Sequence, residues 1–430
     1  DWKKYNAIAD ITTPNRSFVH MARLLKSMGV KNHMFMLALL DRSLVGVNPH
    51  DPNLSPEMIA KVARECYLNP WYFFREVVRA PGESGAPPRM FEANRGNMAL
   101  FWSFLNGALT LIIQSRQTGK SFSTDCMLVW LLQVRSRNLT INILTKDEKL
   151  RKSNVDRLKR IMGALPTYLD QRTKKDANNT ELVTVNAYEN KVYTHLPSAD
   201  KKRADNAARG MTSAVAVVDE PPYQVNIQIS LPVALSSGGA ARELAAMNGD
   251  PHGTILTTTA GKKDTPEGKF IYDLMNNTMA SWTESFFDSE NRAVLEDAVR
   301  KTCRVEREYR IAIVMDHRQL GKTDEWLLKR ISDSVSSGEG ADRDYFNRWT
   351  SGTATNPLSV ATLAKINESI REPKYVEHTK IGNYQVRWHI NEEEIKTRMA
   401  MNHHLVVFDT SEAAGGDAIS MRVTDLYTGE

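Results

Sequence analysis

Leu109-Thr-Leu-Ile-Ile-Gln-Ser-Arg-Gln-Thr-Gly-Lys-Ser121 is the stretch from which the rest of the chain can be read. Leu111, Ile112 and Ile113 form a short apolar run that predicts a buried strand. A tight polar turn follows. Gly119, Lys120 and Ser121 then open a segment carrying Phe122, Met127, Leu128, Leu131 and Leu132, which predicts an amphipathic helix. Strand, turn, Gly-Lys-Ser and helix are the parts of a phosphate-binding P-loop. In such a loop, backbone N–H groups and the positive helix N-terminus cradle phosphate oxygens. Lys120 would reach the β/γ-phosphates and Ser121 would hold Mg²⁺. Gln114 stands where the first glycine of the pattern usually sits. A bare Gly-Lys-Ser is also an ordinary helix start, so a second half of the site is needed.

That half lies downstream. Ala214-Val-Ala-Val-Val218 is a continuous apolar, β-branched run ending in Asp219-Glu220-Pro221-Pro222. Fully buried parallel strands have this composition, and open α/β sheets place ligands at the C-terminal ends of their strands. Asp219 is expected in the Mg²⁺ shell, and Glu220 is expected to polarise the attacking water. The plain alternative is a strand that ends in a polar turn. A third strand, Thr254 to Thr257, runs into Thr258 and Thr259, whose hydroxyls would sense a γ-phosphate; threonines are also good strand formers. Hydrolysis further needs a cation on the transferring oxygens, and Arg116 and Arg209 are the candidates.

Composition sets the background. The chain has 430 residues, 41% hydrophobic and 25% charged, with a net charge of +5 and a pI near 8.9. This is an ordinary globular composition with room for two to three domains, and its basicity permits a polyanionic partner without requiring one. Cys66, Cys126 and Cys303 are widely spaced and lack metal-ligand spacing, so they read as packed thiols. Met98 to Ile113 is interrupted by Ser103, Asn106 and Gly107 and reads as helix, turn and core strand, not as a membrane span. No secretory signal opens the chain. It starts at Asp1 and stops inside what reads as a hairpin, so both ends are expected to be trimmed.

Around this centre, residues 1 to about 80 read as helical, with helix starts at Ser55-Pro56 and Pro70. Trp71, Tyr72, Phe73 and Phe74 read either as a docking core or as a grip on a base. Pro81 to Pro88 is a loop rich in breakers. Leu139 to Thr145 predicts a strand, and a basic helix follows with Lys146, Lys149, Arg151, Lys152, Arg157, Lys159 and Arg160. These seven are either a solvated face or contacts to nucleic-acid phosphates. Val183 to Val185 and Lys191 to His195 predict a hairpin. Residues 262 to 385 read as mostly helical and charged, with loops at Gly338 to Gly340 and at Pro373.

With these motifs in order, the chain resembles the large terminase subunit, the DNA-packaging motor of tailed bacteriophages. That family's P-loop commonly reads Ser-Arg-Gln-X-Gly-Lys-Ser/Thr, matched by Ser115, Arg116, Gln117, Thr118, Gly119, Lys120 and Ser121, and it normally lacks the first glycine. Asp219 and Glu220 match its Asp-Glu strand, and Thr257, Thr258 and Thr259 match the motif coupling hydrolysis to movement. The resemblance implies that Arg116 acts within one subunit or that Arg209 reaches a neighbour's ATP in a ring. The family's adenine-contacting glutamine has only Phe91-Glu92 as its nearest match. Asp344-Tyr-Phe-Asn-Arg-Trp349 and Leu358 to Ile366 look like the join to a nuclease domain. His403-His-Leu-Val-Val-Phe-Asp409, Gly415-Gly416-Asp417 and Ala418 to Val423 look like the start of an RNase H-like nuclease. Asp409 would be its first Mg²⁺ or Mn²⁺ ligand for two-metal cleavage, although an acid at a strand end is also a common turn former. Further carboxylates are needed, so cleavage is expected only if the native chain continues past Glu430.

The expected fold is an α/β P-loop NTPase (RecA/ASCE-like), a mainly parallel sheet flanked by helices. The expected division is a helical segment (1–85), an ATPase core (86–275), a linker or lid subdomain (276–385) and the start of a nuclease (386–430). The resemblance implies ATP and Mg²⁺, sequence-independent phosphate contacts to double-stranded DNA, a portal protein and a small terminase subunit as partners, and a homo-oligomeric ring. It also implies a place in the host cytoplasm at the procapsid portal, and no membrane. Two other readings stay open: a helicase-like or repair ATPase, which would favour single strands and unwind, and a nucleotide-gated assembly protein with little turnover. An intact Glu220 speaks against the latter.

Overall fold

The apolar run at Leu111 forms β1 (Leu109–Gln114), buried except at its first residue. It lies third from one edge of an eight-stranded sheet. The other strands are β2 (Thr140–Thr145), β3 (Leu182–Val185), β4 (Asn190–His195), β5 (Val215–Asp219), β6 (Gly253–Thr258), β7 (Ala280–Ser281) and β8 (Arg310–Met315). Their order across the sheet is β7-β8-β1-β6-β5-β2-β4-β3. All neighbours run parallel except the β3–β4 hairpin. The fold is therefore α/β, with β6 lying between the Gly-Lys-Ser strand and the Asp-Glu strand. The computed structural model describes residues 7–82, 87–303, 308–335, 338–351, 360–379, 385–409 and 420–429. The chain divides into two units, Asp1–Gly352 and Thr353–Glu430.

Alternation along β1 divides the core of the first unit. Ile112 joins the apolar cluster that includes the N-terminal helices, while Leu111 and Ile113 face Ile227, Leu231 and Ile271 on the other side. A parallel strand covered on both faces must be apolar at every position, which is why β1 and β5 lack the alternation of a half-exposed strand. Helices Arg16–Ser27 and Pro56–Leu68 lie in the N-terminal part, the second capped by the Ser55 side chain and opened by Pro56. The aromatic cluster is core. The Phe74 ring stacks on Phe101 at 4.1 Å, and Trp130 Nε1 donates to the Cys66 carbonyl at 2.9 Å. These contacts fasten the N-terminal segment to the helix Arg95–Leu105 that precedes β1 and to the helix that follows the P-loop.

Residues 262 to 385 are less helical than the sequence implied. β7 and β8 belong to the main sheet, and β8 pairs with β1 from Arg310 to Met315. Much of the expected linker thus lies in the same unit as the P-loop, and the chain divides at 352/353, not at 275/276. Gly338 to Gly340 is not a loop but the start of a helix, Gly338–Tyr345. In the second unit, Tyr375–His378 pairs antiparallel with Gln385–Trp388, and His404–Asp409 pairs antiparallel with Ser420–Asp425. Asp409 ends its strand opposite Ser420, while Gly415, Gly416 and Asp417 lie outside the described residues. Among the described residues no helix is long and apolar enough to cross a membrane.

Candidate nucleotide-binding site

Parallel pairing brings three strand ends together. Thr257 of β6 lies opposite Ile112 of β1 on one side and Asp219 of β5 on the other, and Thr145 of β2 lies beyond Asp219. Past Gln114 the chain turns through Gln117, whose φ is +60°, and Gly119, whose φ is +87°, into helix α1 (Lys120–Trp130). A Cβ built at Gly119 meets nothing within 4 Å. The glycine is there for its left-handed backbone, and the space beside it is open. Thr118 Oγ1 donates to the Ser115 carbonyl at 2.7 Å and closes the turn.

Lys120 is 8% exposed, and its Nζ lies 3.4 Å from the Gln114 carbonyl. No carboxylate of the described residues lies within ion-pair distance of it. Burial pushes its pKa down, while Glu220 and Asp219 pull it back up. A buried ammonium without an ionic partner is costly, and this one sits at a helix N-terminus beside open space. Those are the conditions of an anion site.

The two acids are held separately. Asp219 is 2% exposed. Its Oδ1 accepts the Thr257 hydroxyl at 2.6 Å and its Oδ2 accepts Asn154 Nδ2 at 2.8 Å. Glu220 takes a left-handed backbone with φ +61°, fixed by its N–H donating to the Thr257 carbonyl at 2.7 Å. Its Oε2 accepts the Thr258 hydroxyl at 2.9 Å and the Thr259 N–H at 3.4 Å. A non-glycine residue in this conformation is strained, and such strain concentrates at functional sites. Burial raises the Glu220 pKa, with Lys120 pulling the other way. The three threonines thus stand next to the two acids, divided between them.

The P-loop is also anchored from downstream. Ser115 Oγ donates to the Tyr345 carbonyl at 2.7 Å, and Arg116 N–H donates to the Asp344 carbonyl at 2.8 Å. Arg116 Nε lies 3.1 Å from Asp344 Oδ2. A few residues on, Thr350 exchanges backbone bonds with the loop after Thr259: Lys263 N–H donates to its carbonyl at 2.7 Å, and its own N–H donates to Gly261 at 3.2 Å. Asp344 to Trp349, read from sequence as a join to another domain, forms with Thr350 a strap across both halves of this site.

Arg209 is elsewhere. It ends the helix Lys201–Arg209 and pairs with Asp205 at 2.8 Å, its side chain 67% exposed. No contact among the described residues ties it to the P-loop. Phe91 is buried and stacks on Phe122 with ring centroids 5.8 Å apart, while Glu92 reaches Lys322 at 3.5 Å. Both line a pocket of ≈ 250 Å³ beside the P-loop, together with Arg89, Asn97, Gln117 and Thr118. Of the basic helix, now α2 (Glu148–Gly163), Lys149, Lys152 and Arg160 are exposed, but Arg157 is not part of that exterior. Its Nε meets Asp125 Oδ2 at 2.5 Å with 20% side-chain exposure. Asn154 and Asp125 were not singled out in the sequence, and Arg157 was read only as one of the basic residues of this helix. A helical pattern with Asn154, Val155, Leu158, Ile161 and Met162 on one face would have placed Asn154 inward.

Neither a family model nor a curated protein matches this chain. Among solved structures it is similar to the HK97 bacteriophage large terminase, at 10% identity and a TM-score of 0.42, over 67% of this chain and 55% of that one. The large terminase of a thermophilic bacteriophage, solved in complex with ADP, gives 11% identity and a TM-score of 0.37, over 60% of this chain and 54% of that one. The large terminase ATPase domain of Thermus phage P74-26 gives 13% and 0.39, over 60% of this chain and 95% of that domain. The chain thus spans about half the length of the first two.

Proposed function

We propose that this chain binds ATP with Mg²⁺ and hydrolyses it to move double-stranded DNA, in the manner of a large terminase subunit. One observation carries the nucleotide reading. Among the described residues Lys120 is buried without a carboxylate partner, at the N-terminus of α1, beside the end of a strand that presents Asp219 and Glu220. Polyphosphate is the ligand whose charge, shape and metal requirement fit those groups together.

Lys120 and the amides of residues 117 to 120 would hold the phosphates, and the pocket lined by Phe91, Asn97 and Phe122 has room for the base. Ser121 and Asp219 would hold Mg²⁺, for which they are suitable oxygen donors. Bound there, the ion would neutralise charge on the β- and γ-phosphate oxygens. Glu220, fixed by the Thr258 hydroxyl, would orient the attacking water and take up its proton. Thr257 and Thr258 each touch one acid, so a change at the γ-phosphate is registered on β6. The strap at Asp344 to Thr350 would carry that change onward. Arg116 would act within the subunit. Arg209, exposed and remote, would act only across an interface.

DNA translocation, the portal, the small subunit and a ring belong to the same proposal, with Lys149, Lys152 and Arg160 as phosphate contacts. Nuclease activity would fall to the second unit, with Asp409 as one metal ligand. Among the described residues no group of three or more His, Cys, Asp or Glu side chains is arranged to hold a metal. The test is steady-state ATP hydrolysis by wild type and Glu220→Gln, with and without linear duplex DNA. Turnover that disappears in the variant and rises with duplex DNA supports the motor. Equal turnover in both overturns the catalytic assignment, and unwinding of a duplex would move the reading to a helicase.

A further inference from the structure

Asp219 is reached from outside the sheet by a chain of side chains on helix α2 that the nucleotide chemistry does not itself require. Asp125 stands on α1, one turn beyond Ser121, and is 5% exposed. Its Oδ2 receives Arg157 Nε at 2.5 Å. Arg157 Nη2 donates to Asn154 Oδ1 at 3.0 Å, and Asn154 Nδ2 donates to Asp219 Oδ2 at 2.8 Å. The Thr257 hydroxyl occupies the other oxygen, Oδ1.

The order of these groups has chemical content. An amide side chain presents an acceptor at one end and donors at the other. A guanidinium can only donate, so Arg157 fixes Asn154 with its oxygen toward Arg157 and its NH₂ toward Asp219. A carboxylate oxygen has two acceptor directions, so one neutral donor on each oxygen orients Asp219 and leaves capacity for a cation. Had Arg157 paired directly with Asp219, it would have neutralised the charge a metal needs. Asparagine between them passes on orientation without passing on charge, and Asp125 balances the arginine.

We propose that Asn154 is a positioning residue for Asp219, held in register by Arg157 and Asp125, and that this relay sets the affinity of the nucleotide site for its divalent cation. The inference rests on the reading of Asp219 as a metal-holding acid. Outer partners of ligating carboxylates typically account for about 10- to 100-fold in metal affinity.

The experiment titrates Mn²⁺ into the protein with ADP bound, following free Mn²⁺ by electron paramagnetic resonance, for wild type, Asn154→Ala, Arg157→Lys and Asp219→Asn. ADP affinity in EDTA is measured beside it. Asn154→Ala is expected to weaken Mn²⁺ binding by about 10-fold or more while leaving metal-free ADP affinity within about twofold. Arg157→Lys still neutralises Asp125 but loses the second arm of the fork, so a loss of a few fold is expected; it carries the test if Asn154→Ala does not fold. Because the relay is one unit, the double variant should lose little beyond Asn154→Ala. If Asp219→Asn loses Mn²⁺ and the folded relay variants bind it like wild type, the relay is overturned and the nucleotide reading stands. If Asp219→Asn also binds like wild type, the metal assignment falls and the relay with it.

Discussion

The hydroxyl of Thr258 lies 2.9 Å from Glu220 Oε2 and 2.7 Å from the Thr259 carbonyl, its two acceptors, while the preceding residue's hydroxyl goes to Asp219. Two adjacent threonines therefore serve two different acids, and their valine substitutions should separate kinetically. A hydrogen bond to a charged group is worth about 1.5–3 kcal/mol. Thr258→Val should lower kcat for ATP hydrolysis by about 10- to 100-fold with little change in KM. Thr257→Val should instead raise the Mg²⁺ concentration needed for half-maximal rate. Identical effects from the two substitutions would contradict this division.

Lys120 holds its charge in a buried place for a ligand. Lys120→Met keeps the length of the side chain and removes the ammonium, so the nucleotide-free protein should melt at a higher temperature than wild type, with a gain of about 1–2 kcal/mol. The same variant should lose the stabilisation that ATP with Mg²⁺ gives wild type. Thermal melts with and without nucleotide read both effects at once.

Asp125 makes a pH-dependent contribution whose sign can be worked out. Burial raises its carboxyl pKa from 3.8 to about 6, against the pull of Arg157. Between those values the folded protein holds the proton more tightly than the unfolded chain, so this group's contribution to stability declines as the pH rises through the window. Asp125→Asn has no such term. Its stability relative to wild type should improve between pH 4 and pH 7 by up to about 3 kcal/mol, as measured by urea unfolding at each pH. A difference that stays flat across that range would mean that the carboxyl titrates normally.

Arg209 differs from Arg116 in that no contact among the described residues of its own chain presents it to the P-loop. Arg209→Ala should match wild type in ATP hydrolysis at protein concentrations too low for assembly and fall behind as subunits associate. Arg116→Ala should be impaired at every concentration. A concentration series of both variants, with oligomeric state followed by light scattering, tests the pair.

The parts of this site that were legible from sequence share one cause. β1 and β5 are buried on both faces, so their apolar runs are unbroken and their polar ends stand out. β8 was missed for the opposite reason. It follows a charged stretch, and Val314 is 45% exposed, so Ile311 and Ile313 alone did not suggest a strand of the main sheet. Asn154 and Arg157 were hidden among lysines and arginines whose number suggested a solvated face. Only the helical phase, which carries Val155 and Leu158 inward, distinguishes them. The strap's role was hidden because, apart from the Arg116–Asp344 ion pair, its bonds to the P-loop go through the carbonyls of Asp344 and Tyr345, and main-chain acceptors leave no mark on residue identity.

That strap has a consequence for local opening. Arg116 N–H is protected by the Asp344 carbonyl, Lys263 N–H by the Thr350 carbonyl and Thr350 N–H by the Gly261 carbonyl. All three amides depend on one short length of backbone, so they cannot open independently unless that length itself breaks. In hydrogen exchange they should behave as a single cooperative unit, slowing together when a ligand fills the phosphate loop, although Arg116 and Lys263 lie on opposite sides of the Asp-Glu strand in sequence.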